Sequence, residues 1–314
     1  MKIHLIAPSG ATLDQRGPDL GMRYLSEQGV TVNNFACVKR VHQRFAGTDV
    51  ERLAEINALA QLEAKTIVMA TRGGYGLQRI LDSIQWTALA DAVKQGVQIC
   101  GHSDFTALQL GLLAKTGAIS LAGPMLNYDF GGANQTGDVS APNSFMWQHF
   151  QRAINERRLD CQVQQAQSYL GEWQSTKALH GLLWGGNLTI LSTLIGSEFM
   201  PSIEQTRGGI LFLEDINEHP YRLERMLIQL LEAGFLTQQK AILLGDFSGY
   251  RLADNDRGYD LATAIAWLRE RLPNSIPILT GLPFGHCPEK LTLPVGAQAN
   301  LTANLQGFTL QAQW

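Results

Sequence analysis

The chain has 314 residues, a formal net charge of −3 at pH 7, and 45% hydrophobic against 17% charged residues. This composition excludes intrinsic disorder, which requires many charged and few apolar residues. The small negative charge provides no broad basic surface, so neither nucleic acid nor an anionic membrane is an expected partner. A chain of this length more often forms two domains than one.

The chemistry of the sequence gives no sign of a metal or a cofactor. The four cysteines lie far apart and are predicted to be buried thiols rather than zinc ligands or disulfides. The histidines are scattered and H-E-x-x-H is absent, which argues against a metallopeptidase. The apolar run at the start is too short for a signal-peptide core, and no stretch is long enough to span a membrane, so the cytoplasm is the expected location.

The first half of the chain alternates short apolar strands with amphipathic helices. The helical spacing covers residues 49–62 and 104–115. This alternation of strands and helices predicts a largely parallel sheet covered by helices, with ligands at the carboxyl ends of the strands. The predicted strands are 3–7, 30–34, 66–70, 97–100 and 118–121.

The pattern changes after about residue 155. Residues 156–180 are polar and Gln-rich and are predicted to connect two domains, 1–155 and 181–314. The second domain is predicted to hold strands at 210–213 and 241–245, with a helix at 220–233 between them. Three alternating segments near the end are predicted to form a small antiparallel sheet, namely 291–294, 298–302 and 308–311.

A serine lies between a predicted strand and a predicted helix in the stretch Gly101-His102-Ser103-Asp104-Phe105. A hydroxyl in such a turn projects beyond the sheet edge, and the next amide, at a helix N-terminus, can stabilise an oxyanion. Ser103 therefore resembles the nucleophile of a hydrolase, although G-x-S-x-G would need glycine where Phe105 stands. The alternative is that Ser103 or Asp104 only caps the helix.

A glycine loop, Arg72-Gly73-Gly74-Tyr75-Gly76, also follows a predicted strand. Consecutive glycines let the backbone approach a ligand closely and point its amides at an anion. A dinucleotide fingerprint fails because Arg79 stands where a third small residue is needed, and no P-loop motif occurs. The loop suits an oxyanion or a carboxylate, and the alternative is a tight turn without a ligand.

Two carboxylates and a histidine complete the candidate chemistry. Glu214 and Asp215 end a predicted buried strand, where carboxylates are costly unless they are paired or functional. Either could orient a histidine, and Asp215 or Glu218 could instead assist the next helix N-terminus. His286 lies in a loop built from Gly and Pro. Ser103, Glu214 and His286 together supply the roles found in a serine hydrolase.

Six stretches of the chain are similar to LD-carboxypeptidases (muramoyltetrapeptide carboxypeptidases), a serine peptidase family that also includes microcin-immunity peptidases. They span nearly the whole chain in the order of the family. The stretches are Leu5-Ile6-Ala7-Pro8-Ser9-Gly10, Arg72-Gly73-Gly74-Tyr75-Gly76, Gly101-His102-Ser103-Asp104-Phe105-Thr106-Ala107, Leu183-Trp184-Gly185-Gly186-Asn187-Leu188, Leu213-Glu214-Asp215-Ile216-Asn217-Glu218-His219-Pro220 and Gly285-His286.

The resemblance implies a cytoplasmic, commonly homodimeric enzyme that recycles cell-wall peptides by removing D-alanine from the murein tetrapeptide L-Ala-D-Glu-meso-diaminopimelate-D-Ala. It assigns Ser103 as nucleophile, His286 as general acid/base and Glu214 as the carboxylate that orients the imidazole. The amides of Asp104 and Gly74 would form the oxyanion hole. The implied fold is an N-terminal Rossmann-like, largely parallel α/β domain and a smaller β-rich C-terminal α/β domain, with the site between them.

An exopeptidase must also bind the free carboxylate of its substrate, for which a buried cation is suited. Arg72 is the first candidate for this role and Arg222 the second. Two alternatives stay open: a peptidase for other peptide-like amides, as in microcin immunity, and a two-domain small-molecule binding protein. Only a catalytic triad requires Ser103, Glu214 and His286 to meet across both domains.

Overall fold

The computed structural model describes residues 1–132, 142–164, 168–169, 178–304 and 306–314. The strands in the first half are β1 Lys2–Ile6, β2 Thr31–Asn33, β3 Thr66–Ala70, β4 Gln98–Gly101 and β5 Ser120–Ala122. Those in the second half are β6 Arg158–Gln164, β7 Ser168–Tyr169, β8 Leu179–Asn187, β9 Ile210–Ile216, β10 Ala241–Ser248, β11 Ile278–Thr280, β12 Leu293–Val295, β13 Gln298–Asn304 and β14 Gly307–Gln313. The α-helices are α1 Arg16–Glu27, α2 Asp49–Ala58, α3 Trp86–Lys94, α4 Thr106–Thr116, α5 Ser144–Glu156, α6 Leu188–Leu194, α7 Ile203–Thr206, α8 Pro220–Glu232 and α9 Leu261–Arg269.

The described strands form two sheets, which confirms the predicted mixed α/β class. The first sheet has the order β12-β5-β4-β3-β1-β2, and β1 to β5 pair in parallel. All five strands predicted in the first half occur. Strand β3 is buried along its whole length, as expected for a parallel strand covered by helices on both faces.

The second sheet has the order β6-β14-β13-β8-β9-β10-β11-β7. Strands β8 to β11 pair in parallel, whereas β13, β14 and β6 extend the sheet with antiparallel neighbours. Strand β6 lies within the segment 156–180 that the sequence predicts to be a connection. The predicted antiparallel group near the end is correct for β13 and β14 but wrong for β12, which pairs with β5 in the first sheet.

Helix α4 packs between the two sheets. Its residues from Thr106 to Leu113 are all buried, which explains why the helix is apolar almost all round instead of amphipathic. It contacts β5 of the first sheet and β8 and α6 of the second half. The Asn187 amide at the end of β8 donates to Thr106 Oγ1 at 3.0 Å. Because Ser103 lies just before α4, this contact joins the segment that follows Ser103 to the second sheet.

Two further predictions concern cysteines and membrane spans. Cys37, Cys100 and Cys161 are buried free thiols, as predicted, while Cys287 is half-buried. Among the described segments, no helix combines the length and the apolar composition that a membrane crossing requires.

Candidate active site

A cavity of about 1060 Å³ is lined by the loops that follow β3, β4 and β11. Of the predicted site residues, Arg72, Gly74, Ser103 and His286 line it. Glu214 is not in the lining and is connected to the site by its hydrogen bond with His286. Arg222 is not part of the lining, because its side chain is exposed and pairs with Glu218 at 3.5 Å. The second candidate for binding the substrate carboxylate therefore lies apart from the other predicted site residues.

Ser103 begins a tight turn ahead of α4. It is half-buried, and its φ of +62° lies in the left-handed region that non-glycine residues rarely adopt. The side chain of Asp104 accepts hydrogen bonds from Ser9 Oγ at 2.6 Å and from the Leu77 amide at 3.1 Å. Asp104 therefore braces the turn against two other loops and does not cap α4. The cap position of α4 is Phe105, without a side-chain cap.

The backbone strain at Ser103 makes a testable prediction about stability. Ser103→Gly should be about 1 kcal/mol more stable than Ser103→Ala, because only glycine adopts a positive φ without a Cβ clash. Urea unfolding of both variants measures the difference. Equal midpoints would contradict a strained serine. The same comparison at Gln43, which also has a positive φ (54°), provides a control outside the cavity lining.

The glycine loop touches the serine directly. A Cβ placed on Gly73 would lie 2.7 Å from Ser103 Oγ and 3.3 Å from the Asp104 nitrogen, so no side chain fits there. Gly74 lines the cavity and has a φ of +107°. The glycines are needed because the loop backbone passes against the hydroxyl. This close approach places the backbone of the glycine loop next to the Ser103 hydroxyl.

Glu214 and His286 form the central hydrogen bond of the site. Glu214 is fully buried at the end of β9, and His286 Nδ1 donates to its Oε2 at 2.8 Å. Because an ionised carboxylate only accepts, this bond places the proton on Nδ1 and leaves Nε2 as a proton acceptor. Burial alone lowers the pKa of His286, but the charge and hydrogen bond of Glu214 outweigh it, so the pKa is raised.

Asp215, the neighbour of Glu214, binds Thr189 of α6 instead of a histidine. Its carboxylate accepts from the Thr189 amide at 2.7 Å and from Thr189 Oγ1 at 2.8 Å. Burial, together with the neighbouring charge of Glu214, raises the pKa of Asp215 to about 6. Only Glu214 of this acidic pair meets a histidine. The N-cap of α8 is His219, and Glu218 comes directly before it.

Sequence reasoning missed a second polar group in the cavity lining. His102, Asp129 and Lys290 all line it, and the His102 ring lies 5.2 Å from that of His286. The available signal was a lysine three residues before a buried strand, β12. No group of three or more potential metal-binding side chains occurs among the residues described. The Ser103 hydroxyl makes no hydrogen bond to a described residue, so it is free to meet a ligand in the cavity.

Comparison with known proteins identifies the family of the chain. Residues 3–123 match the model of the LD-carboxypeptidase N-terminal domain, and residues 180–301 match that of the LD-carboxypeptidase C-terminal domain. The crystal structure of a muramoyltetrapeptide carboxypeptidase from Oxalobacter formigenes is 40% identical, with a TM-score of 0.85 over 100% of this chain and 99% of that one.

Two curated relatives are similar over most of their length. A probable murein peptide carboxypeptidase of Bacillus subtilis is 31% identical and covers 99% of this chain and 91% of the relative. The microcin C7 self-immunity protein MccF of Escherichia coli is 27% identical over 94% of this chain and 88% of the relative. With both domain models matched in order and relatives aligned along almost the whole length, the chain belongs to the LD-carboxypeptidase family.

Proposed function

We propose that this protein is a serine-type, metal-independent LD-carboxypeptidase that removes the terminal D-alanine from murein tetrapeptides. The observation that carries the proposal is the 2.8 Å hydrogen bond between buried Glu214 and His286, in a cavity that Ser103 also lines. A carboxylate on Nδ1 is the arrangement that prepares an imidazole to accept a proton from a serine. A small-molecule binding module has no need for it.

The proposed reaction has two stages. His286 Nε2 takes the proton of Ser103 as the oxygen attacks the carbonyl of the L-centre of diaminopimelate. The amide C–N bond then breaks, D-alanine leaves with the proton from His286, and the tripeptide remains esterified to Ser103. Water hydrolyses this ester with His286 again as base. Glu214 stabilises the imidazolium in both stages.

The developing oxyanion is proposed to be bound by the amides of Asp104 and Gly74. The close approach of Gly73 to Ser103 Oγ supports this assignment, because it brings the glycine loop against the attacking oxygen. The bracing of Asp104 by Ser9 and Leu77 supports it as well. Donors that are held before the reaction need not reorganise when charge develops.

Mass spectrometry of the tetrapeptide incubated with the protein and EDTA tests the proposal. We expect loss of one alanine and no cleavage of the same peptide ending in L-alanine. Cleavage only of an aminoacyl sulfamoyl nucleoside, the kind of compound bound in structures of MccF, would favour a peptidase of microcin-immunity type. The likeness to MccF makes this the second candidate. A well-folded protein that cleaves neither substrate would contradict a peptidase role.

Arg72 is the proposed clamp for the terminal carboxylate. Its side chain is half-buried in the cavity wall, and its Nη1 donates a hydrogen bond to the Ala11 carbonyl at 2.8 Å. Arg72→Ala should raise KM for the tetrapeptide by about 10- to 150-fold, because a hydrogen bond to a charged group contributes about 1.5–3 kcal/mol. Steady-state kinetics measure the change.

Arg222→Ala is the matched control for Arg72, since Arg222 is exposed and outside the cavity lining. Its KM should equal that of the wild type. A tetrapeptide with a C-terminal amide should bind the wild type and Arg72→Ala equally poorly. An unchanged KM in Arg72→Ala would remove Arg72 from this role.

The cytoplasmic location, the recycling of cell-wall peptides and the homodimer implied by the family resemblance belong to the same proposal. Light scattering on the purified protein tests the oligomeric state: we expect twice the chain mass of 34.5 kDa. A mass of one chain that persists at micromolar concentration would contradict the homodimer.

A further inference from the structure

A buried ion pair lies beside the proposed catalytic histidine and takes no part in the reaction as described. Lys290 is 1% exposed, and its ammonium donates to Asp129 Oδ1 at 2.5 Å and to His102 Nε2 at 3.0 Å. The other carboxylate oxygen of Asp129 accepts from the Met125 amide at 2.7 Å. A buried charge such as that of Lys290 is costly unless it is paired. His102 and Asp129, which pair with it, both line the cavity.

The contacts of His102 fix its tautomer. Its Nδ1 lies 3.0 Å from the Gly123 carbonyl, which can only accept, so Nδ1 carries the proton. Nε2 then has a lone pair and accepts from the Lys290 ammonium. Burial and the charge of Lys290 lower the pKa of His102 well below its ordinary value. His102 is therefore a neutral acceptor for Lys290 and is unavailable as a base for its neighbour Ser103.

This cluster connects the two loops that carry the proposed nucleophile and base. His102 precedes Ser103 after β4 of the first sheet, and Lys290 follows His286 by four residues after β11 of the second sheet. Asp129 comes from a third segment, the π-helical turn Leu126–Phe130. The hydrogen bond from Lys290 to His102 therefore joins the two catalytic loops directly.

We propose that Lys290 is a positioning residue that, through His102 and Asp129, holds the His286 loop in register with Ser103. This inference rests on the proposed function. Ser103 and His286 come from different sheets and are not hydrogen-bonded to each other, so another contact must set their separation before substrate arrives. A small displacement of a catalytic group costs a large factor in rate, so the loss of this contact should appear in kcat.

The same ammonium also acts on His286 electrostatically. Lys290 lowers the pKa of His286, whereas the charges of Glu214 and Asp129 raise it. Removing the lysine should therefore raise this pKa, and the acidic limb of the kcat/KM profile should move to higher pH, because His286 must be neutral to accept a proton. The titratable groups that face His286 are Glu214, Asp246, Asp129, His102, Lys290 and its neighbour Cys287.

The test compares Lys290→Met with the double variant Lys290→Met/Asp129→Asn. We expect both to lower kcat for the tetrapeptide by about 10- to 100-fold, with KM within about threefold of the wild type. The acidic limb should move to higher pH in the single variant and return toward the wild-type position in the double variant, where both charges are gone. Lys290→Met leaves the Asp129 charge buried without its partner and can therefore fail to fold. The double variant removes both charges, so its kcat tests the proposal in that case.

Lys94→Met is the matched control, because Lys94 pairs with Asp91 at 3.1 Å on an exposed surface. It should leave kcat, KM and the pH profile unchanged. A folded double variant with the kcat of this control would overturn the positioning role. If the wild type itself fails to cleave the tetrapeptide, the proposed function fails. NMR titration of the His286 ring in the wild type and Lys290→Met then still tests the charge effect, and equal titration curves would overturn it.

Discussion

Ser103→Ala should lower kcat/KM for the murein tetrapeptide by at least about 10⁴-fold, because removal of a serine nucleophile leaves only the catalysis supplied by binding and the oxyanion hole. The substitution removes one hydroxyl from a half-buried side chain that makes no hydrogen bond to a described residue. Folding should therefore be preserved. Release of D-alanine at substrate concentrations below KM measures the effect.

Ser248→Ala is the matched control for this loss. Ser248 also lines the cavity, but its hydroxyl donates to Asp246 at 2.6 Å and has no proposed part in the reaction. Its activity should stay within about tenfold of the wild type. If Ser103→Ala retained that much activity, the nucleophile would be another group, and the thiol of Cys287 in the cavity wall would be examined next.

Glu214→Gln should lower kcat by about 10³- to 10⁴-fold with little change in KM, as expected when a triad carboxylate becomes an amide. The amide can donate to His286 Nδ1, which moves the imidazole proton to Nε2. His286 then has no lone pair for the proton of Ser103. Glu214 is completely buried, so solvent cannot take over its role. Steady-state kinetics at a pH above the pKa of His286 isolate this effect from titration.

The adjacent carboxylate provides the control. Asp215 is also buried, and both of its carboxylate oxygens accept hydrogen bonds, one from Thr189 and the other from Asn187 and Ile216. Because an amide keeps only one acceptor oxygen, Asp215→Asn should reduce the free energy of unfolding by about 1–3 kcal/mol while leaving kcat largely intact. A large loss of kcat in Asp215→Asn together with an active Glu214→Gln would exchange the roles of the two residues. Urea unfolding and kinetics on both variants distinguish these outcomes.

The sequence predicts the local parts of the fold well. The five parallel strands of the first sheet and the helix predicted at 49–62 follow from periodicity, with differences at their ends. The helix predicted at 104–115 also occurs, but it is buried almost all round rather than amphipathic. The partner of β12 could not be predicted, because strand pairing between distant segments depends on tertiary packing. The division into domains 1–155 and 181–314 stays a prediction, although β6 of the intervening segment pairs with β14.

The choice between Glu214 and Asp215 shows where sequence reasoning stops. Successive residues of β9 point to opposite faces of the sheet, so one carboxylate must face the His286 loop and the other must face α6. Which face receives the loop depends on the packing of β10 beside β9 and of β11 beside β10, which no local pattern encodes. The Lys290 cluster was missed for the same reason, since Asp129 and His102 are distant from Lys290 in sequence.

Arg72 and Arg222 illustrate a further limit. Arg72 is the first residue of the glycine loop and Arg222 follows the stretch that contains Glu214, and charge alone does not separate them. The loop after β3 turns Arg72 into the cavity wall, whereas Arg222 lies on the exposed face of α8 and pairs with Glu218 one turn away. The segment after β5 that also lines the cavity continues into residues 133–141, which lie outside the described residues.

Trapping the acyl-enzyme tests the central claim most directly. A tetrapeptide analogue ending in D-lactate carries an ester at the scissile position, so acylation becomes fast relative to hydrolysis of the enzyme ester. The protein is mixed with the analogue, quenched in acid within the first turnovers, digested and mapped by mass spectrometry. We predict a tripeptide adduct on the peptide that contains Ser103. An adduct on the peptide that contains Cys287, or a burst of D-lactate without an adduct on Ser103, would contradict the account.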